Sequence, residues 1–237
     1  MKTASRPVQA SALIRTESLR YSHISLVGSF SSTFISSFIH IALLTLATLF
    51  SNDSMGNTEV LKRGDIQLTS AGTGISHSEK AHGSKQVHFL QIWSLPSVSR
   101  LIPTYFTRHF TDVEKKDQWV RVVAPLNAPG VSSKREDEGP APVQSPLTLY
   151  ATLLSPGKSL SHQFSASSAK GYIHVIQTSG YNAGVANGAT VRVSGGGDVE
   201  ADLREGDGAY ITLKNRKDLE VENVGAGVAE LLLFELD

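Results

Sequence analysis

His77 and Glu79 are the residues whose types and spacing best fit a chemical role in this sequence. On an extended strand, residues two apart leave the same face, so both side chains can reach one ligand. An imidazole with a carboxylate suits iron, manganese, nickel or zinc better than calcium. The chain has no cysteine, so histidines and carboxylates must hold any such metal. Ordinary exposed strands also carry His-x-Glu pairs, and both interpretations stay open at this point.

The elements that position this pair are predicted to be short β-strands. From Ser51 onward, short apolar runs alternate with Gly-Asp and Gly-Asn pairs, and almost no segment shows a sustained 3.6-residue period. The small residues of 71–74 precede His77 and permit a tight corner. Residues 87–93 alternate with both faces partly apolar, which indicates a strand between two layers. The sequence therefore predicts an all-β fold.

A Gly-Asp corner occurs in both halves of the chain, at Gly64-Asp65 and at Gly206-Asp207. We expect glycine at positive φ in each corner and the aspartate side chain capping the turn. Between the halves, the proline-rich and charged residues 128–146 are typical of a linker loop. The predicted organisation is an N-terminal domain over 51–127, this linker, and a C-terminal domain over 147–237.

The first fifty residues are atypical, because no charged residue lies between Arg20 and Asp53. A signal anchor within residues 24–50 is one interpretation, although the serines and threonines of its first half are poor partners for lipid. The favoured interpretation is a buried strand pair over Phe38 to Phe50, with a poorly ordered segment before it. We therefore expect residues 1–50 to be the least ordered part of the chain.

The charge balance argues against direct binding of nucleic acid. The 22 basic and 22 acidic residues give no net charge, and no dense basic cluster is present. The sequence also lacks a Gly-x-Ser-x-Gly elbow and a complete dinucleotide fingerprint, so hydrolase and dinucleotide chemistry have no support.

Five separate motifs resemble the signature of the pirin family in their order and spacing. Members of this family are bicupins of the cupin superfamily. The resemblance extends more weakly over residues 50–237. The motifs are Asp53 to Asn57, Arg63 to Gln67, Ser70 to Ile75, His77 to Glu79, and His88 to Trp93 with Leu95-Pro96.

This resemblance implies two stacked β-barrel domains, with iron in the first barrel held in part by His77 and Glu79. It implies Glu79 as a possible catalytic base. Two functions follow from it: oxygen-dependent cleavage of a flavonol, as in quercetin 2,3-dioxygenases, or a non-enzymatic role as a nuclear transcriptional cofactor that acts through a protein partner. It implies a cytoplasmic or nuclear location, with no membrane role expected.

The chain departs from the family where the metal should bind. The family's His-x-His pair would fall close to Thr33 and Ile35, and the sequence contains no His-x-His. We therefore expect the first strands of the first barrel to be replaced or absent, and iron occupancy to be below one per chain. His40 is the strongest candidate to replace the absent histidine ligands, followed by His82. The remaining candidates, predicted to be structural residues, are His88, His162 and His174.

Overall fold

The computed structural model describes residues 11–15, 19–26, 29–35, 39–46, 48–83, 87–165, 170–177, 188–195, 200–213 and 218–236. The chain divides into two compact units, which are described separately. Unit 1 comprises Met1–His109 and Ser133–Ser145, and unit 2 comprises Phe110–Ser132 and Pro146–Asp237.

The described elements are strands, apart from one short helix, so the all-β prediction is confirmed. In chain order they are β1 (Ser11–Arg15), β2 (Leu19–Leu26), β3 (Ser29–Ile35), β4 (Ile39–Leu46), β5 (Leu49–Asp53), β6 (Thr58–Leu61), β7 (Asp65–Ser70), β8 (Ile75–Ala81), β9 (Val87–Ser94), β10 (Thr104–His109), α1 (Asp112–Lys115), β11 (Val120–Pro125), β12 (Ala141–Val143), β13 (Leu147–Leu154), β14 (Ser159–Gln163), β15 (Lys170–Val175), β16 (Thr190–Ser194), β17 (Glu200–Arg204), β18 (Gly208–Thr212), β19 (Asp218–Asn223) and β20 (Ala229–Leu236).

Unit 1 contains a larger and a smaller antiparallel sheet. The larger sheet has the order β1-β2-β9-β4-β7-β10, and the smaller one has the order β3-β8-β5-β6. Strands β10 and β6 therefore lie at sheet edges. Strand β8, which carries His77 and Glu79, is paired on both sides, with β3 and with β5.

Unit 2 repeats this construction with an apolar interior. Five of its strands follow one another in the order β11-β13-β20-β15-β18, and a second sheet has the order β14-β19-β16-β17. Strands of both sheets supply one buried cluster, so the two sheets pack face to face. Its members include Leu154, Phe164, Ile173, Val175, Val191, Leu203, Ile211, Leu219, Val221, Leu231 and Leu233.

The two Gly-Asp corners have the predicted geometry. The glycine before each aspartate lies at positive φ, at 86° in the first corner and 88° in the second. The Asp65 carboxylate accepts a hydrogen bond from the backbone N–H of Lys62 at 2.7 Å, and that of Asp207 accepts one from Arg204 at 2.9 Å. The same local chemistry thus sets a strand connection in each unit.

A close approach explains the glycine at the corner before β8. Gly72 has a φ of 53°, and a Cβ added there would lie 2.0 Å from the carbonyl oxygen of Leu101. Any other residue would therefore clash with backbone, and the corner that leads the chain into β8 depends on this glycine.

The buried strands predicted over Phe38 to Phe50 are present as β4 and β5, but they do not pair with each other, because β4 belongs to the larger sheet and β5 to the smaller one. Their buried apolar residues are Ile39, Ile41, Ala42, Leu43 and Leu49. Of the expectation that the first strands are replaced or absent, absence is wrong, since β3 pairs with β8 and β2 pairs with β9, whereas replacement stays a prediction. Loss of metal-binding side chains does not prevent backbone pairing. The prediction of poor order is not tested for residues 1–10, 16–18, 27–28, 36–38 and 47, because they lie outside the described residues.

The predicted linker contributes to the folded units. Strand β12 lies inside residues 128–146, and its three residues are all buried. The boundaries also differ from those expected, because 110–132 belong to unit 2 and 133–145 to unit 1. The proline and glycine content of this segment predicted a loop, and β12 is too short to show the two-residue alternation of a strand. Across the described residues, no helix is long and apolar enough to span a membrane.

Candidate functional site

Strand β8 presents His77 and Glu79 on one buried face. Ile75, His77 and Glu79 are buried, whereas Ser76 is exposed and Ser78 is half-buried. This is the period of two expected for a strand with one face toward an interior. The predicted common face is therefore confirmed, while the role of both residues as metal ligands stays a prediction.

Asp53 lies beside His77 on the neighbouring strand β5, but its carboxylate is already engaged. Its Oδ1 accepts hydrogen bonds from the backbone N–H groups of Met55, at 2.9 Å, and Asn57, at 3.0 Å. Its Oδ2 accepts a hydrogen bond from the Asn57 side chain at 2.7 Å. These bonds hold the turn between β5 and β6 and engage both oxygens of the Asp53 carboxylate.

Glu79 has an environment that favours the protonated acid. Its side chain is completely buried, and burial raises its pKa to about 8. The Gln91 side chain on β9 donates a long hydrogen bond of 3.4 Å to Oε2, and Oε1 has no hydrogen-bond partner among the described residues. At neutral pH, the metal-free side chain therefore keeps its proton.

His77 is favoured in its neutral form. Burial lowers its pKa, and the neighbouring Asp53 carboxylate opposes that shift. With His77 neutral and Glu79 protonated, the pair carries no net charge that would attract a cation. A divalent metal would have to displace the Glu79 proton, so binding would weaken as the pH falls.

A wall of buried polar side chains continues the interior face on β7 and β10. Thr69 lies opposite Tyr105 across the two strands, and Gln67 is two residues before Thr69. Both amide atoms of Gln67 and both hydroxyls are buried without a hydrogen-bond partner among the described residues. The pKa of Tyr105 is raised, chiefly by burial and then by Glu59, with Arg135 acting in the opposite direction.

This polar wall is absent from the residues predicted from the sequence to form the site. Its signal was the alternation of Asp65, Gln67 and Thr69 with Ile66 and Leu68, which marks a strand with one polar face. All of these residues except Asp65 are fully buried, so the polar face points to an interior rather than to water.

The described residues do not complete a site for a transition metal. Among them, no group of three or more histidine, aspartate or glutamate side chains could hold a metal ion. Protein sites for such metals use at least three side chains, and here two donors stand together while Asp53 holds its turn. His77 and Glu79 alone therefore fit the expected iron poorly.

The strand expected to carry the missing histidines is β3. Its backbone pairs Ser32 with His77 and Ile35 with Ile75, with an irregular register between them. Between these two pairs the chain advances three residues along β3 but only two along β8, as it does at a β-bulge. Thr33, where the first family histidine would fall, lies within this irregular stretch.

The other histidines do not extend the site among the described side chains. His40 lies on β4 with its backbone opposite Thr69 and Trp93, and its side chain is outside the described residues. His82 is exposed after β8. His88 is buried on the face of β9 opposite to Gln91, and burial lowers its pKa to about 4.

Both histidines of unit 2 are buried, and their structural role stays a prediction. His162 lies 3.5 Å from Glu235 and packs edge-on against Tyr150 at 4.6 Å between ring centroids. His174 stacks beside Tyr172 at 6.4 Å.

Comparison with known proteins relates this arrangement to one family. Residues 36–94 match the family model described as Pirin. The chain is 41% identical over 70 residues to quercetin 2,3-dioxygenase of Escherichia coli K12, a match that spans 29% of the chain and only 30% of that relative.

Solved structures share the fold over most of the chain. The crystal structure of YhhW from Escherichia coli superposes with a TM-score of 0.72 at 23% identity, and covers 92% of this chain and 80% of that one. The bacterial pirin YhhW in complex with nickel(II) gives a TM-score of 0.69 at the same identity and coverage. The bicupin fold expected from the sequence is confirmed by this likeness.

Proposed function

We propose that the chain, whose residues 36–94 match the Pirin family model, is a pirin-like cupin protein of the quercetin 2,3-dioxygenase type with an impaired metal site. The observation that carries the proposal is that, among the described residues, no group of three or more metal-binding side chains forms around His77 and Glu79, while Asp53 is engaged in its turn. Weak binding of a divalent metal and slow or absent oxygenase activity follow from it.

The proposed ligand is a flavonol-like small molecule within unit 1. Such a molecule carries several hydroxyl groups, and the interior offers buried polar atoms on Gln67, Thr69 and Tyr105 that lack partners among the described residues. Burial of a polar atom without a partner costs free energy, which a hydroxylated ligand would recover. The assignment of iron as the metal, and of Glu79 as a base, is part of the same proposal.

The test is metal analysis combined with oxygen uptake on quercetin. Purified protein is supplied with Fe²⁺ or Ni²⁺ and dialysed, and its metal content is measured beside the Escherichia coli relative as positive control. We expect well below one metal per chain and turnover at least about 100-fold slower than that of the relative, because loss of even an outer-shell partner of a metal ligand typically costs about 10- to 100-fold. His77→Ala and Glu79→Gln should remove the remaining metal.

The proposal is overturned by one outcome in particular. Full metal occupancy with quercetin cleavage that disappears in His77→Ala would show a complete site. If metal binds fully, His40→Ala becomes the next variant, because β4 runs beside β7 and β9 in the same sheet.

The alternative function, a nuclear transcriptional cofactor that acts through a protein partner, stays a prediction. Unimpaired partner binding by a His77→Ala, Glu79→Gln double variant would separate it from the metal-dependent function.

A further inference from the structure

Residues 133–138 bridge the edges of the two sheets of unit 1, and we refer to them as the strap. Strand β10 is the last strand of the larger sheet, and β6 is the last strand of the smaller one. The backbone N–H of Thr107 on β10 donates to the carbonyl oxygen of Arg135 at 2.9 Å, and Thr107 forms an isolated parallel bridge with Glu136. The strap thus lies along an edge strand that would otherwise be unpaired on that side.

One end of the strap is held by a buried arginine. Arg108 is 3% exposed, although it lies on an edge strand. Its guanidinium donates to the carbonyl oxygens of Thr107 at 2.7 Å, Arg135 at 3.0 Å and Lys134 at 3.1 Å. Because these charge-assisted bonds are shielded from water, Arg108 anchors the backbone of the strap firmly.

Arg135 connects the strap to both sheet edges. Its guanidinium forms an ion pair with Glu59 on β6, and it lies 5.2 Å from the centre of the Tyr105 ring on β10. The Arg135 side chain is 47% exposed and that of Glu59 is 28% exposed, so water and salt weaken the ion pair. Arg135 is therefore the weaker attachment, in contrast to the buried Arg108.

The interior that carries the candidate site lies behind this attachment. Tyr105 is buried, and its electrostatic neighbours include both Glu59 at the seam and Glu79 in the interior. Beside the strap, a cleft of about 290 Å³ is lined by Glu59 of β6 together with Thr107 and His109 of β10. A cleft therefore lies along the seam between β6 and β10.

We infer that the strap is a latch that closes this seam, with Arg135 as the releasable contact and Arg108 as the fixed anchor. Loss of the Arg135 contacts frees the side of the strap that faces β6 while its backbone stays bound to β10. Release opens a route from solvent to the polar wall at Thr69 and Tyr105. Arg135 acts here through access to the interior and has no part in chemistry at His77 or Glu79.

The absence of cysteine from the chain permits a direct test. A Thr69→Cys reporter places one thiol on the interior face of β7, and the Thr69 hydroxyl has no described hydrogen bond to lose. A Ser70→Cys reporter places a thiol on the opposite face of the same strand, where the residue is also buried. The measured quantity is the rate of thiol labelling by a small disulfide reagent.

Arg135→Ala, which loses both the exposed ion pair and the cation–π contact, should speed labelling of the Thr69→Cys reporter about five- to tenfold. Glu59→Gln, which loses the ion pair alone, should speed it about two- to fivefold. Lys134→Ala is the matched control, because it removes one positive charge from the strap and keeps the carbonyl that Arg108 binds. It should change the rate less than about twofold. The Ser70→Cys reporter should respond less than about twofold in every variant.

Two outcomes overturn the inference. The first is an unchanged Thr69→Cys rate in both Arg135→Ala and Glu59→Gln. The second is equal acceleration of both reporters, which would indicate general loosening of β7 rather than opening of the seam. Because labelling needs neither metal nor quercetin, its outcome is independent of the proposed oxygenase function.

Discussion

The interiors of the two units differ in polarity, although both lie between a larger and a smaller antiparallel sheet. Unit 2 fills its interior with leucine, isoleucine, valine and phenylalanine, and its buried Glu235 lies beside His162. Around Glu79 in unit 1, buried polar atoms lack partners among the described residues. Such atoms reduce stability, so an interior that retains them is suited to binding rather than to packing.

Two buried amides show this difference most directly. Asn223 in unit 2 donates to the carbonyl oxygens of Leu154 and Gly227, each at 2.8 Å, and accepts from the N–H of Gly225 at 3.0 Å. Gln67 in unit 1 is equally buried, and neither of its amide atoms has a partner among the described residues. The Asn223 amide therefore stabilises unit 2, whereas the Gln67 amide is available to a ligand in unit 1.

The largest expected effect comes from replacing each amide by leucine. Asn223→Leu should lower the free energy of unfolding by about 3 kcal/mol or more, because it leaves backbone groups unpaired in the interior. Gln67→Leu should change it by less than about 1 kcal/mol. Urea unfolding measures both values. An equally costly Gln67→Leu would remove the contrast between the two interiors.

The next effect concerns Glu79, whose pKa is raised by burial to about 8 from an ordinary value of 4.5. The unfolded chain releases this proton first, so the free energy of unfolding should fall as the pH rises from about 4.5 to about 8. Glu79→Gln should abolish this loss, and at pH 8 it should be more stable than the unaltered protein by on the order of 3 kcal/mol.

Unfolding in urea at several pH values, with a chelator present, measures this difference. Glu220→Gln is the control, since Glu220 is exposed on β19. The same pH dependence in Glu79→Gln and in the unaltered protein would contradict the prediction.

Glu235 should show the opposite pH dependence. Burial acts to raise its pKa, but hydrogen bonds from His162 and Ser165 outweigh burial, and the pKa lies below its ordinary value. Its stabilising effect is therefore present above pH 4.5 and is lost as the pH falls through the lowered pKa. Glu235→Gln should cost about 2 kcal/mol at neutral pH and progressively less in acid. A constant cost from pH 7 to pH 3 would refute this account.

The smallest effect is expected from restoring histidines to β3. Thr33→His with Ile35→His should leave metal content well below one per chain, because the register of β3 against β8 is irregular between Ser32 and Ile35. Metal ligands must lie within about 2.0 to 2.2 Å of the ion, which an irregular strand does not deliver. Replacing the whole segment before Asp53 by a pirin strand pair that carries His-x-His should succeed. Full metal binding by the double variant would show that β3 already has the required geometry.

Features with a short sequence period were predictable. The alternation around His77 and Glu79 predicted their common face, and the two Gly-Asp corners were predicted down to the sign of φ and the capping carboxylate. Both depend on local stereochemistry that two to four residues determine.

Features that depend on distant partners were not predictable. Strand β12 has only three residues, too few for a period, and its proline suggested a loop. The charged run that contains Lys134 and Arg135 had the composition of a solvated surface segment. Its role depends on Arg108 and Glu59, which lie far away in sequence. The polar wall on β7 was visible as alternation, but its burial follows from tertiary packing.

The strap is synthesised after the strands that it contacts, because the chain leaves unit 1 at His109 and returns to it at Ser133. A ribosome that makes about 5 to 20 residues per second exposes all ten strands from β1 to β10 before it delivers the strap, with an interval on the order of a few seconds. During that interval the seam between β6 and β10 has nothing to close it. A small molecule or ion that binds in the interior of unit 1 can therefore enter while the chain is still being synthesised.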